Sequence, residues 1–202
     1  GRDTFSIKKV REDRVIYFTV NDYIRKKQKT HNTMSKAQLK KHLSALTKEQ
    51  IIEVILELYD ARKEAKEYLE FYLNPNEDEK LEEYKRIIRD EFFPKRGEPK
   101  CRFNICRKAI SDFKKLKPHP ACLADLMLYY IEMGCEMTSM YGDMWEQYYI
   151  TLETNFEKAM ELIAKLGYTE QFSERIERML KSVEDCGWGF PDTLYDIYYG
   201  YK

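Results

Sequence analysis

From residue 34 onward, apolar side chains recur every three to four positions, the period of helices that each bury one face. Residues 37–43 predict a first helix that stops near Leu46. Thr47-Lys48-Glu49-Gln50 then reads as a capping box, in which the Thr47 hydroxyl and the Gln50 amide each satisfy a free backbone donor of the other residue. The helix it opens places Ile51, Ile55, Leu58, Tyr59 and Leu69 on one stripe and is expected to run to Leu73, where Asn74-Pro75-Asn76 breaks it. Asn76 caps a third helix whose first turn holds Glu77, Asp78 and Glu79, the charge sign favoured at a helix N-terminus. Its apolar face is Leu81, Tyr84, Ile87, Ile88 and Phe92.

After a basic loop over 94–99, a fourth helix over 103–116 carries Cys106, Ile110 and Phe113 at helical spacing and ends at Pro118-His119-Pro120. Residues 121–140 form a fifth helix, apolar around much of its circumference and therefore expected at the centre. Gly142-Asp143 restarts the chain into a sixth helix that closes at Gly167, and a seventh spans 170–185. The aromatic tail over 186–201 is expected to pack back on the body. The expected fold class is an all-α core of about seven helices, an antiparallel bundle or an α–α superhelix, over 34–202.

Residues 1–33 read differently. Two β-branched and aromatic runs, 5–10 and 15–20, flank Arg11-Glu12-Asp13-Arg14 and predict a β-hairpin, followed by a short basic helix through Ile24, Arg25, Lys26 and Lys27. A lone hairpin is marginal in water, so this appendage has to dock on the helices or on a second chain. Met34 can serve as an alternative start.

The formal net charge is zero, with 35 basic and 35 acidic residues, and this balance conceals segregation. The balance is +5 over 1–33, −3 over 34–94, +7 over 95–117 and −9 over 118–202. Such a chain holds opposite potentials on different surfaces, which favours oriented contacts with itself or a partner over general polyanion binding. Five cysteines, Cys101, Cys106, Cys122, Cys135 and Cys186, with no secretory apolar segment, are read as reduced thiols of a cytoplasmic protein. No apolar run approaches the ~20 residues that cross a bilayer, so no membrane partner is expected.

Candidate chemistry is sparse, and no cofactor is expected. Cys101, Cys106, His119 and Cys122 have a spacing that suits a zinc shell only in outline; Cys106 shares the apolar stripe of its helix and is well explained as a small buried hydrophobe, so no metal is assigned. Glu132 with Glu136, and Glu153 with Glu157 and Glu161, recur at fourth positions, but none of the three histidines supplies the Glu-x-x-His motif of a di-iron site, so these acids read as a solvated face. Local catalytic fingerprints are missing from the sequence, and catalytic residues are assigned to none. The strongest binding signal is the basic segment, with Lys95, Arg96, Lys100, Arg102, Arg107, Lys108, Lys114 and Lys115 flanking Phe103. Sixteen tyrosines, among them Tyr129, Tyr130, Tyr148, Tyr149, Tyr195, Tyr198, Tyr199 and Tyr201, point to partner contacts as well as core, with Trp145 beside them. Met133, Met137, Met140 and Met144 are expected to supply an adaptable apolar surface.

Several stretches together carry a family resemblance: Met34-Ser35-Lys36-Ala37-Gln38-Leu39-Lys40-Lys41, Leu46-Thr47-Lys48-Glu49-Gln50, Phe71-Tyr72-Leu73-Asn74-Pro75-Asn76-Glu77-Asp78, Phe92-Phe93-Pro94, the block from Ala124 to Glu132, and Phe156-Glu157-Lys158-Ala159. The chain resembles a bacterial family of small helical proteins of unknown function over roughly 34–190. The resemblance implies an all-helical core and supplies no activity or site residue. The sequence thus supports two function classes: a non-enzymatic module that binds a protein or itself through segregated charge and a tyrosine- and methionine-rich surface, and, as the alternative, nucleic-acid binding through 95–117.

Overall fold

A computed structural model describes residues 34–202 in full and, ahead of them, only the backbone of two short strands, β1 (Ile7–Arg11) and β2 (Arg14–Phe18), paired antiparallel with Val10 opposite Val15. The docking of the expected hairpin and the short basic helix through 24–27 lie outside the described residues. The chain divides into two compact units, Gly1–Glu57 and Leu58–Lys202.

The described residues from 34 onward are all-helical, with nine helices: α1 (Lys36–Leu43), α2 (Lys48–Ala61), α3 (Lys63–Leu73), α4 (Glu77–Phe92), α5 (Phe103–Lys115), α6 (Pro120–Tyr141), α7 (Glu146–Lys165), α8 (Thr169–Lys181) and α9 (Phe190–Tyr201). Two differences raise the count above the seven expected. The helix expected over 47–73 is interrupted at Arg62, whose backbone is extended (φ −136°, ψ 116°), and no glycine or proline marks the break. The aromatic tail is itself a helix: Gly189 takes a left-handed φ of 67°, open to it because it lacks a Cβ, and Pro191 sits in the first turn, where its missing N–H costs nothing.

Local signals set the other boundaries. Thr47 N–H donates to Gln50 Oε1 (3.0 Å) and Gln50 N–H to Thr47 Oγ1 (3.2 Å), the expected capping box, and Ser35 with Gln38 forms a second one ahead of α1. The Asn76 side chain accepts from Glu79 N–H at the start of α4. Gly167 ends α7 with φ 72°.

In the second unit the core is assembled by neighbours in the chain. Helices α4, α5 and α6 pack on one another, α7, α8 and α9 do the same, and α6 against α7 joins the two groups. Helix α6 is the central element, with twelve buried residues including Leu126, Leu128, Tyr130 and Ile131. Aromatic rings knit the layers: Tyr84 meets Phe113 at 5.2 Å between centroids, Phe103 meets Tyr148 at 5.1 Å, and Tyr149 meets Phe190 at 4.6 Å. The α6–α7 approach is close because residue 134 is glycine; a Cβ there would stand 2.5 Å from Leu152 Cδ2. The Tyr148 hydroxyl donates to the Gly134 carbonyl at 2.8 Å across the same contact.

Helices α1 and α2 differ from the rest in having no buried residue. No described helix is long and apolar enough to cross a membrane.

Candidate functional site

The basic segment begins where α4 ends. Glu91, buried at the last turn of α4, receives the following loop in two ways. Its backbone carbonyl accepts from Lys100 and Cys101 N–H (3.0 and 2.9 Å), and its carboxylate accepts from Arg102 N–H, Nε and Nη2 (3.1, 2.9 and 2.7 Å). The hydrogen bonds from Arg102 hold the Glu91 carboxyl below its ordinary pKa against the opposing effect of burial. On α5, Asp112 accepts from both Lys108 and Lys115. Burial works against the Asp112 charge, and the two lysines outweigh it, so this pKa also lies below its ordinary value.

Of the eight cations singled out in the sequence, Arg102, Lys108 and Lys115 are therefore committed to carboxylates of the chain. Lys95, Arg96, Lys100, Arg107 and Lys114 are exposed and have no acidic partner among the described residues. Lys117 lies over the Tyr68 ring, 5.9 Å from its centroid.

The four residues with zinc-like spacing do not come together as one ligand set. Cys106 is fully buried on α5, and burial pushes its thiol up to about 12. Cys101 is half-buried beside the Glu91 loop, its backbone in the left-handed region (φ 46°). Cys122 on α6 donates to the Glu77 carboxylate at 3.5 Å, and burial followed by that acidic neighbour raises it to about 11. Exposed His119 caps α6, with Nδ1 accepting from Ala121 N–H, and its backbone N–H donates to Glu77 Oε1 at 2.6 Å. Among the described residues, no three His, Cys, Asp or Glu side chains form a group able to hold a metal ion.

The acidic positions of α6 are only partly solvated. Arg175 of α8 grips Glu132 through Nε and Nη2 (2.6 Å each) and reaches Asp125 through Nη1 (2.9 Å). Asp125 also takes Lys85 of α4 at 3.2 Å, and Arg89 one turn on donates to the Tyr129 hydroxyl at 2.7 Å. This network ties α4 and α8 to one stripe of α6. Between α6 and α8 it borders an open groove of about 530 Å³ that Met133, Met140 and Met179 line. Met133 and Met137 are nonetheless buried, because the central helix turns them inward, so of the four methionines expected at the surface only Met140 is exposed, with Met144 half-buried.

The least expected feature lies where the α6–α7 and α8–α9 loops meet. Asp143 Oδ1 accepts from Gly187 N–H (2.9 Å) and from the Tyr149 hydroxyl (3.0 Å), and the Tyr149 hydroxyl in turn accepts from Met144 N–H (3.0 Å). The fit is tight enough that a Cβ on residue 187 would lie 2.8 Å from Asp143 Oδ2. On the loops so fastened stand both tryptophans of the chain, Trp145 and Trp188, 55% and 62% exposed, with Met140 and Tyr141 also exposed at the end of α6. Trp188 adopts φ 61°, a conformation that costs a non-glycine residue on the order of 1 kcal/mol or more. Sequence reading named Trp145 and Met140, took Asp143 only as a helix restart and Trp188 only as part of an aromatic tail packed on the body, and did not single out Tyr141; the available signal was a tryptophan set between two glycines, Gly187-Trp188-Gly189.

The comparisons with known proteins identify kinship without activity. No curated protein and no solved structure matches the chain. A family model does match residues 34–198, most of the sequence, and the chain belongs to that family, the family of unknown function DUF6155.

Proposed function

We propose that this protein is a non-enzymatic protein-interaction module whose recognition surface centres on Trp145 and Trp188. The observation that carries the reading is that both tryptophans of the chain stand more than half exposed on two loops held together by Asp143. Tryptophan is the residue most enriched among interface hot spots, since a rigid ring removes much apolar area from water at low entropic cost. The strained backbone at Trp188 supports the same reading, because strain of this kind gathers at functional sites. Asp185 and Glu146 sit close by in sequence, within the acidic part of the chain, and favour a partner that presents basic or amide groups around an apolar centre. Lys95, Arg96, Lys100, Arg107 and Lys114, each exposed in the basic part of the chain, supply charge of opposite sign to orient the encounter.

The test is a photo-reactive residue at position 188, expressed in the cell of origin. The expected result is a protein adduct that disappears when Trp145→Ala or Asp143→Ala is added, while far-UV circular dichroism is unchanged. Loss of the adduct in neither variant would overturn the reading.

Nucleic-acid binding through 95–117 is the second reading, favoured by the five exposed cations that lack acidic partners among the described residues. It predicts salt-sensitive binding of a mixed oligonucleotide that Arg96→Glu with Arg107→Glu removes and Trp145→Ala leaves alone.

A further inference from the structure

Helices α1 and α2 are specified locally and have little tertiary support among the described residues, Tyr59 at the end of α2 donating to Glu70 of α3 at 2.8 Å. Each opens with a complete capping box, Ser35 with Gln38 and Thr47 with Gln50. Yet α1 has 8 residues and α2 has 14, and neither buries a single side chain. Helices of this length are marginal in water on propensity alone and owe their stability in proteins to packing. Instead of packing, α2 holds Ile52, Val54, Ile55 and Leu56 between 43% and 58% exposed, and α1 holds Leu39 at 45%. This is the densest run of exposed large apolar side chains among the described residues, and exposed apolar area of that kind marks an interaction surface.

The charges on the two helices say what fits there. Helix α1 carries Lys36, Lys40 and Lys41 and no acid; the α2 segment up to Glu57 carries Glu49, Glu53 and Glu57 against a single Lys48. Each helix offers the complement of the other, and within the chain no ion pair joins them among the described residues. We infer that α1 and α2 form a self-association element in which α1 of one copy lies on α2 of a second copy, and the reverse. A twofold arrangement satisfies both contacts at once and closes, so it produces a dimer and not a filament. The inference is independent of the tryptophan surface, which lies in the other unit.

The experiment is light scattering coupled to size exclusion on the full chain, with two charge-reversal variants, Lys40→Glu with Lys41→Glu and Glu53→Lys with Glu57→Lys. Wild type is expected to reach twice the 24.4 kDa of one chain as concentration rises. Either variant alone places like charge on like charge at both contacts, and its dissociation constant should rise roughly tenfold or more. An equimolar mixture restores opposite charges at both contacts and should recover the dimer, which also certifies that the variants fold. Wild type that stays monomeric overturns the inference, and means that the face is covered by residues 1–33 of the same chain or by another protein. A dimer that survives in either variant, or a mixture that stays monomeric, overturns it too; the latter means that α1 and α2 answer each other within one chain. The inference rests on residues of the first unit and the variants leave Trp145 and Trp188 in place, so failure here leaves the reading of those two residues untouched.

Discussion

Arg102 and Glu91 are joined through both oxygens of one buried carboxylate, with Nη2 on Oε1 at 2.7 Å and Nε on Oε2 at 2.9 Å. The pair joins residues eleven positions apart and turns part of an apparent cationic run into structure. A charge-assisted fork of this kind is stronger than a neutral hydrogen bond and fixes direction as well as distance.

The Glu91 carboxyl has its pKa lowered in the folded chain, so its contribution to stability is present above the ordinary glutamate value near 4.5 and is lost as pH falls through the folded-state value. Glu91→Gln is expected to lower stability at pH 7 by about 1–3 kcal/mol, since the buried site keeps its donors and loses its charge. Urea midpoints measured from pH 3.5 to 7 should fall less steeply on acidification in the variant than in wild type. Parallel curves would show that the carboxylate contributes nothing beyond its shape.

Gly134 admits the Leu152 side chain to the seam between α6 and α7, and a methyl group there would meet Leu152 Cδ2 at 2.5 Å and Cδ1 at 2.6 Å. Gly134→Ala should cost about 1–3 kcal/mol through overpacking, although alanine is the better helix former. Adding Leu152→Ala should make the double variant less unstable than the sum of the single changes. Strict additivity in thermal melts would place the strain elsewhere.

The five thiols should separate by burial. Cys106 and Cys135 are buried and their thiols are held protonated by desolvation, whereas Cys101, Cys122 and Cys186 are half-buried. A disulfide reagent at pH 8 is expected to reach the latter three in the native protein and the other two only after denaturant is added. Five thiols reacting at one rate would contradict the packing of α5 and α6.

What the sequence disclosed was what is encoded locally. The Thr47 and Asn76 caps, the Gly167 stop and the central character of α6 each depend on residues within a turn or two, and each stands where its pattern placed it. The interruption at Arg62 left no trace because neither glycine nor proline makes it. Partner choice among charges was equally silent. Glu132 and Arg175 lie 43 residues apart, and a helix surface pattern reads Glu132 as solvated until α8 is laid beside it. The Asp143–Gly187 contact spans 44 residues and joins the two loops that carry the tryptophans, which no spacing rule connects. The exposed cations were legible as a group, yet sequence gave no means of separating Lys108, Lys115 and Arg102, which answer to Asp112 and Glu91, from those that face solvent.

The order in which helices touch in the second unit has a kinetic consequence. Each substantial contact there joins elements that are adjacent or next-adjacent in the chain, α4 with α6 and α7 with α9 being the widest. Few long loops have to close before contacts repay their entropy, so this unit should fold on the fast side for its length. The same arrangement sets α4 and α5 against α6, and α8 and α9 against α7. Amide exchange should therefore be slowest along the α6–α7 seam, with the flanking helices opening from it as separate cooperative units.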